Sequence, residues 1–199
     1  MKGKINLSKK WRRTFDVGLS TFILIGLSPL FLVTILAITL SSKGPAIFRQ
    51  ERLGINRKPF IMYKFRTMIE EAEKEGPQLA VYNDKRVTKI GRILRKYHVD
   101  ELPQFWNVLK GEMSVIGPRP EREIYVKEIE KLSPEYTRLF EIKPGITSLG
   151  MVRYGYASNI KNLVERSKFD VDYLDKKKVS TDVKILLETV KTIIKGKGI

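Results

Sequence analysis

A mostly apolar run from Phe15 to Leu40, broken near its middle by Ser28-Pro29, constrains this 199-residue chain more than any other feature. A helix rising about 1.5 Å per residue needs about 20 apolar residues to cross a hydrocarbon core about 30 Å thick, so the whole run is long enough to span. Each half, 17–27 or 30–40, reaches only about 16 Å on that rise. Pro29 removes a backbone donor and clashes with the preceding turn, while the Ser28 hydroxyl is placed to return a hydrogen bond to the freed carbonyls. Two arrangements follow: a kinked span, or a helix-break-helix that enters one leaflet and returns.

The flanks weigh on that choice. Lys2, Lys4, Lys9, Lys10, Arg12 and Arg13 precede the run, and Lys43, Arg49, Arg52, Arg57 and Lys58 follow it. Basic residues stay on the cytoplasmic side of a bilayer. A span would carry one set outside, whereas re-entry keeps both inside, so the flanks favour re-entry and leave the span as the alternative. A cleaved signal peptide fits poorly, because the run is too long and no Ala-x-Ala site precedes the folded part.

The formal net charge of +16 calls for an anionic partner: nucleic acid, anionic lipid or a phosphorylated substrate. A nucleic-acid binder has no reason to carry such an apolar segment, so no nucleic-acid partner is expected. Cysteine is absent and His98 is the single histidine, which excludes disulfides and thiolate chemistry and argues against zinc. His98 itself, with no orienting partner visible, reads as structural or surface-lying.

After the apolar run, "SSKGP" stops any helix, and "AIFRQERL" and "KPFIMYKF" read as a hairpin around "GINR", with positive φ expected at Gly54 and Asn56. The polar stretch 70–86 reads as a helical fragment and a loop ending in Asn83-Asp84, both good N-caps. Ile90, Ile93, Leu94 and Tyr97 recur at helical spacing with lysines and arginines between them. Val183, Leu186, Leu187, Val190 and Ile194 do the same over about 181–195. Each of these two helices has two readings, a stripe facing the core or an interfacial helix on anionic lipid.

The stretch "HVDELPQFWNVLKGEMSVIGPRPER", residues 98–122, holds most of the chemistry. Pro103 fits only a first helical turn, which puts a helix start near Asp100. Asp100 and Glu101 then lie where unpaired backbone donors gather, as acids at an ordinary helix start do. Yet a helix start also seats phosphate, and the rigid "GPRP" would hold the Arg119 fork ready for phosphate oxygens. Two adjacent acids among cations also suit a magnesium ion bridging carboxylate and phosphate.

"FRQERLG", "YKFRTM", "DELPQFWNVLKGEMSVIGPRP", "KPGITS" and "DVKILL", in that order, resemble the bacterial sugar transferase family, the small monotopic phosphoglycosyl transferases. The resemblance runs from "RRTFD" to the last helix, and its long central block is highly specific. It implies transfer of a phosphosugar from a UDP-sugar to polyprenyl (undecaprenyl) phosphate with release of UMP, starting a lipid-linked glycan that downstream glycosyltransferases extend. It further implies Asp100 as the nucleophile that forms an aspartyl-phosphosugar, and Glu101 as its magnesium-associated partner. Lys64, Arg66 and Arg119 would line the phosphate pocket, Asp170 would lie near nucleotide or metal, and the membrane helix would re-enter at Ser28-Pro29. The segment "SLGMVRYGYASN", with Met151, departs from the family's pattern, so no sugar specificity is carried over.

The expected architecture is α+β and mainly helical. Residues 1–41 form a basic N-terminus and re-entrant helix, and 42–199 form a catalytic domain on the cytoplasmic face of the bacterial cell membrane, with anionic lipids as a further partner. The competing reading is a membrane-anchored basic adaptor. Paired acids beside a phosphate-gripping loop favour the enzyme.

Overall fold

A computed structural model describes the backbone of residues 2–74, 76–196 and 198, and the side chains of these from residue 10 onward, so the charges of Lys2, Lys4 and Lys9 lie outside the described residues. Helix α1 (Lys2–Gly26) and helix α2 (Ser28–Ser41) meet at a 60° bend. A proline frees the carbonyl four residues back, here that of Ile25, and the Ser28 hydroxyl donates to it at 2.7 Å. The ladder resumes at once, with Phe31 N–H on the Leu27 carbonyl at 3.0 Å. Among the described residues no single helix is long and apolar enough to cross a membrane, whereas the bent pair together meets that test.

Both arms are tied into the rest of the chain. Asp16 of α1 is buried and accepts from the Ser114 hydroxyl at 2.8 Å and from Val115 N–H at 3.0 Å. Arg13 donates to the carbonyls of Val108 and Leu109 at 2.6 and 2.7 Å. On α2, Ile38 is buried against Phe65 and Leu94, and Phe31 meets Phe65 edge to face at 5.2 Å between centroids.

The expected hairpin is present: β1 (Ile47–Leu53) pairs antiparallel with β2 (Pro59–Phe65), Ile47 opposite Phe65. Its turn takes positive φ at Asn56 and Arg57. Gly54, expected to be left-handed, has φ −107 and instead leaves room for the Phe60 ring, 3.2 Å from where a Cβ would stand. The expected helical fragment after residue 70 is a series of turns, gathered by Arg86, which donates to Asp84, to the Ala72 carbonyl and to Gln78. With its carboxylate so engaged, Asp84 does not cap α3 (Lys89–Lys96); Thr88 does, accepting from Gly91 N–H at 2.9 Å. A Cβ on Gly91 would lie 2.0 Å from the Thr67 carbonyl oxygen, so α3 crosses the end of the hairpin only because that residue is glycine.

Asp100 and Glu101 lie in a 3-10 turn (Val99–Glu101), and the α-helix itself, α4 (Gln104–Lys110), starts later than expected, with Pro103 as its N-cap. Strand β3 (Ser114–Ile116) runs parallel to β4 (Gly145–Thr147), with α5 (Glu123–Leu132) between them in sequence. The short α6 (Leu149–Arg153), then α7 (Ile160–Asp175) and α8 (Val179–Ile194), complete an α-rich α+β fold with two small sheets among the described residues. One core joins α5 and α7 through Val126, Ile129, Leu163 and Val171. A second places Met62, Val108, Met113, Tyr173 and Ile185 beneath α4.

Of the expected stripe on α8, only Leu186 packs on that core, beside Ile185. Ile185 is buried, while Val183, Leu187, Val190 and Ile194 are exposed. On α3, Ile90 and Leu94 pack inward, and Ile93 and Tyr97 point out.

Candidate active site

The two adjacent acids have opposite surroundings. Glu101 is buried and held by two cations: Lys64 Nζ donates to its Oε1 at 2.9 Å, Arg119 Nη1 donates to its Oε2 at 3.0 Å, and Arg119 Nη2 donates to Oε1. Asp100 is equally buried, yet its carboxylate makes no hydrogen bond among the described residues. A largely buried carboxylate without donors carries a desolvation penalty that no hydrogen bond offsets. Burial accordingly pushes Asp100 above the ordinary aspartate range, with Lys64 pulling it down and Glu101 pushing it further up. Burial would raise Glu101 too, but Arg119 and Lys64 outweigh it and hold that carboxyl well below its usual range. Loss of water also lowers Lys64 despite Glu101.

Each member of this cluster is placed by a different element. Lys64 is the penultimate residue of β2, and the edge of β2 opposite β1 is clipped by a side chain: Asn107 of α4, fully buried, accepts from Tyr63 N–H at 3.1 Å and donates to the Ile61 carbonyl at 2.6 Å. One amide thereby stands in for a neighbouring strand and fixes α4 against β2. Arg119 comes from the loop after β3, where Gly117 and Gly145 let two backbones nearly touch. A Cβ on Gly145 would lie 2.1 Å from Gly117 N.

Asp170, on α7, lies behind this loop and is 2% exposed. Its oxygens accept from Gly150 N–H at 2.7 Å and from the backbone N–H of Arg119 at 3.3 Å. Burial raises it to about 6 against those donors. Asp170, expected near nucleotide or metal, is here a carboxylate that ties the Arg119 loop to α6. Glu121, next in that loop, is held by Arg52 and Arg166.

Arg66, expected at the phosphate pocket, binds the end of α2 in this structure. Its guanidinium turns away from the acids and donates to the Ser42 carbonyl at 2.8 Å, to Ser42 Oγ at 3.0 Å and to the Lys43 carbonyl, at the end of α2. Its acceptors are the carbonyl of the extended C-cap Ser42 and that of Lys43, the residue beyond it, where the chain leaves α2.

Two contributors were not read from sequence. Arg95, in the last turn of α3, adds positive potential at Asp100 and donates from Nε to Thr67 Oγ1 at 2.8 Å. In the sequence it passes as one more cation on a basic helix face. Asn107 gave a weak signal, a polar residue on the same helical face as Gln104 and Val108. His98, read as structural or surface-lying, lies beside the acids and lowers both carboxyls through its charge. It opens the acidic turn with φ 54, and its Nε2 is buried without a partner.

For magnesium the donor set is small. No group of three or more acidic or histidine side chains among the described residues converges on a point. Magnesium, however, asks for one or two carboxylates and completes its shell with water and substrate phosphates. Asp100 has its oxygens free of hydrogen bonds, while those of Glu101 are held by Lys64 and Arg119, so Asp100 fits such an ion as it stands and Glu101 would fit it with those cations displaced.

Residues 7–196 match the family model described as Bacterial sugar transferase. The UDP-N-acetylgalactosamine-undecaprenyl-phosphate N-acetylgalactosaminephosphotransferase of Aeromonas hydrophila is 38% identical over 94% of this chain and 44% of its own length. The UDP-glucose:undecaprenyl-phosphate glucose-1-phosphate transferase of Escherichia coli K12 is 41% identical over 90% of this chain and 39% of its own. This chain therefore spans about two-fifths of those relatives. A sugar transferase of Bacillus subtilis, named EpsL and called uncharacterized, is 37% identical over 94% of this chain and 89% of its own length. With a family match that covers almost all of its residues, the chain belongs to the bacterial sugar transferase family.

Proposed function

We propose that this chain moves a phosphosugar from a UDP-sugar to polyprenyl (undecaprenyl) phosphate, releasing UMP, by way of Asp100. The observation that carries this reading is the asymmetry of the acidic pair. Glu101 is saturated by two cations, while Asp100 stands beside the same cations without a hydrogen bond. A carboxylate in that position is poorly solvated and close to positive charge that stabilises phosphoryl transfer.

In the first step an Asp100 oxygen attacks the β-phosphorus of the UDP-sugar, and the bond to the bridging oxygen breaks, so that UMP leaves with the electron pair. In the second, an oxygen of polyprenyl phosphate attacks the phosphorus of the aspartyl-phosphosugar. The Asp100 carboxylate is regenerated and a polyprenyl diphosphate-sugar is formed. Lys64 and Arg119 turn from Glu101 to the substrate's phosphates, which frees the Glu101 oxygens, and a magnesium ion held there would replace the positive charge that keeps this carboxyl ionised. The ion, when bound, supplies charge neutralisation on the diphosphate. Asp170 and Glu121 keep Arg119 in place through its loop. The product is suited to downstream glycosyltransferases.

The membrane reading rests on the two ties of the helix pair. Arg13 and Asp16 bind α1 to α4 and β3, and Arg66 binds the end of α2 to β2. Both ends are held by one folded unit, and that unit cannot lie on two sides of a bilayer. Arms 10–26 and 28–41, about 25 and 21 Å long and bent as observed, would bring the break about 10–13 Å below the surface, within one leaflet of about 15 Å. The outward apolar stripes of α3 and α8, flanked by lysines and arginines, suit the same anionic surface. These features support a monotopic protein on the cytoplasmic face of the bacterial cell membrane.

The test is UMP release from a panel of UDP-sugars with magnesium and undecaprenyl phosphate. Turnover with at least one sugar, lost in Asp100→Asn, is the expected result. Full activity of that variant removes Asp100 from the mechanism, and salt-sensitive nucleic-acid binding indifferent to the substitution would favour the adaptor.

A further inference from the structure

The segment that joins the membrane arm to the hairpin is built around Arg66. Helix α2 has no basic residue in its last turn, and its C-cap is Ser42. The missing positive charge arrives from the far end of β2, where the guanidinium of Arg66, 8% exposed, covers the carbonyls of Ser42 and Lys43. Its backbone N–H meanwhile donates to the Ala46 carbonyl at 2.8 Å. Gly44 has φ +100, and a Cβ there would stand 2.3 Å from Arg66 Nη1, so the turn is shaped to admit that side chain. Successive residues of one strand end thus serve different partners: Lys64 reaches Glu101, Phe65 packs on Phe31 of α2, Arg66 caps α2, and Thr67 receives Arg95.

We propose that Arg66 is a positioning residue that fixes the membrane arm to the catalytic strand, and that it governs the step with the lipid substrate and not the step with the nucleotide sugar. The inference rests on the transferase reading given above. Lys64, Glu101 and Arg119 hydrogen-bond one another with no polar contact to α2 among the described residues, whose Phe31, Ile35 and Ile38 meet the turn only through the apolar cluster that includes Val99 and Leu102, so the charges that face a soluble UDP-sugar are set independently of Arg66. The height and tilt of Asp100 over the bilayer have no such independence, because the α2–β2 joint sets them together with the Arg13 and Asp16 ties of α1. A lipid phosphate held at the headgroup level must meet Asp100 at that height.

Three variants separate this role from direct phosphate binding: Arg66→Gln, Arg66→Lys and Gly44→Ala. Gly44→Ala leaves every charge in place, strains the left-handed turn and displaces the guanidinium, so it loosens the joint without touching the charge of Arg66. Two quantities are measured, the stoichiometric burst of UMP without lipid acceptor and the steady turnover with undecaprenyl phosphate. Arg66→Gln and Gly44→Ala are expected to keep the burst and to lose lipid-dependent turnover by about a hundredfold, the scale of a misplacement of about 1 Å. Arg66→Lys, which keeps the charge and loses the fork, should fall between them and wild type. Loss of the burst in Arg66→Gln together with full turnover in Gly44→Ala would overturn the proposal in favour of a phosphate ligand. Wild-type turnover in both would overturn it outright.

Amide hydrogen exchange over residues 42–46 gives a readout that needs no substrate. It should rise in all three variants, and unchanged exchange refutes the joint. A wild-type chain that shows no UMP burst would instead refute the transferase reading, and the exchange result would still decide the role of Arg66 at the joint.

Discussion

At the scale of single residues, Asp100 and Glu101 share a turn and a degree of burial, and their partners make them different. Asp100→Asn removes a buried charge that has no hydrogen bond, so it should abolish turnover while leaving stability equal or higher in urea unfolding. Glu101→Gln strands Lys64 and Arg119 without their counter-charge and should cost about 3–5 kcal/mol of stability. Comparable destabilisation by the two would contradict the asymmetry. Asp170 makes a pH-dependent prediction. Its folded pKa, raised to about 6, lies above the unfolded value of about 3.9, so the stability of its neutral form is fully present below about pH 4 and lost as pH rises through 6, about 3 kcal/mol in all. Relative to wild type, Asp170→Asn should therefore gain that amount between pH 4 and pH 7, and a constant difference would contradict the assignment. The sequence marks Asp100, Glu101 and Arg119 because they share one short block. It does not mark the direction in which Arg66 turns, since its acceptors lie more than twenty residues earlier.

Among the elements, the parallel pair β3–β4 sets the position of Arg119, and two glycines make it possible. A methyl group on Gly145 would collide with backbone rather than with a movable side chain. Gly145→Ala should cost about 1–3 kcal/mol in urea unfolding, and it should lower UMP release about a hundredfold by shifting the Arg119 loop. Normal turnover would show that the loop does not depend on that contact. Neither strand was anticipated, because three residues each give no periodicity and their partners are far apart in sequence. The hairpin β1–β2 was legible, since its alternation and its turn are local. Helix α8 was legible as a helix and misleading as a core stripe. Its spacing groups Val183, Leu186, Leu187, Val190 and Ile194 on one face, but spacing does not say that the core takes Leu186 with Ile185 and leaves the others exposed.

For the whole molecule, the helix pair and the catalytic turn form one object. The break at Ser28-Pro29 was legible because its chemistry is local, a lost donor and a hydroxyl that replaces it. The ties through Arg13, Asp16 and Arg66 were not, because each joins segments distant along the chain. With both ends held to one unit, single cysteines placed at Lys10 and Lys43 should label from the same, cytoplasmic side, and opposite sidedness would end the re-entrant arrangement. The central claim is that Asp100 carries the phosphosugar. Intact-protein mass spectrometry after incubation with magnesium and the accepted UDP-sugar, with no lipid acceptor, measures it most directly. One added phosphosugar mass on Asp100, discharged by undecaprenyl phosphate and absent from Asp100→Asn, is the predicted result. Catalytic turnover without any such adduct, or an adduct that persists in Asp100→Asn, would contradict it.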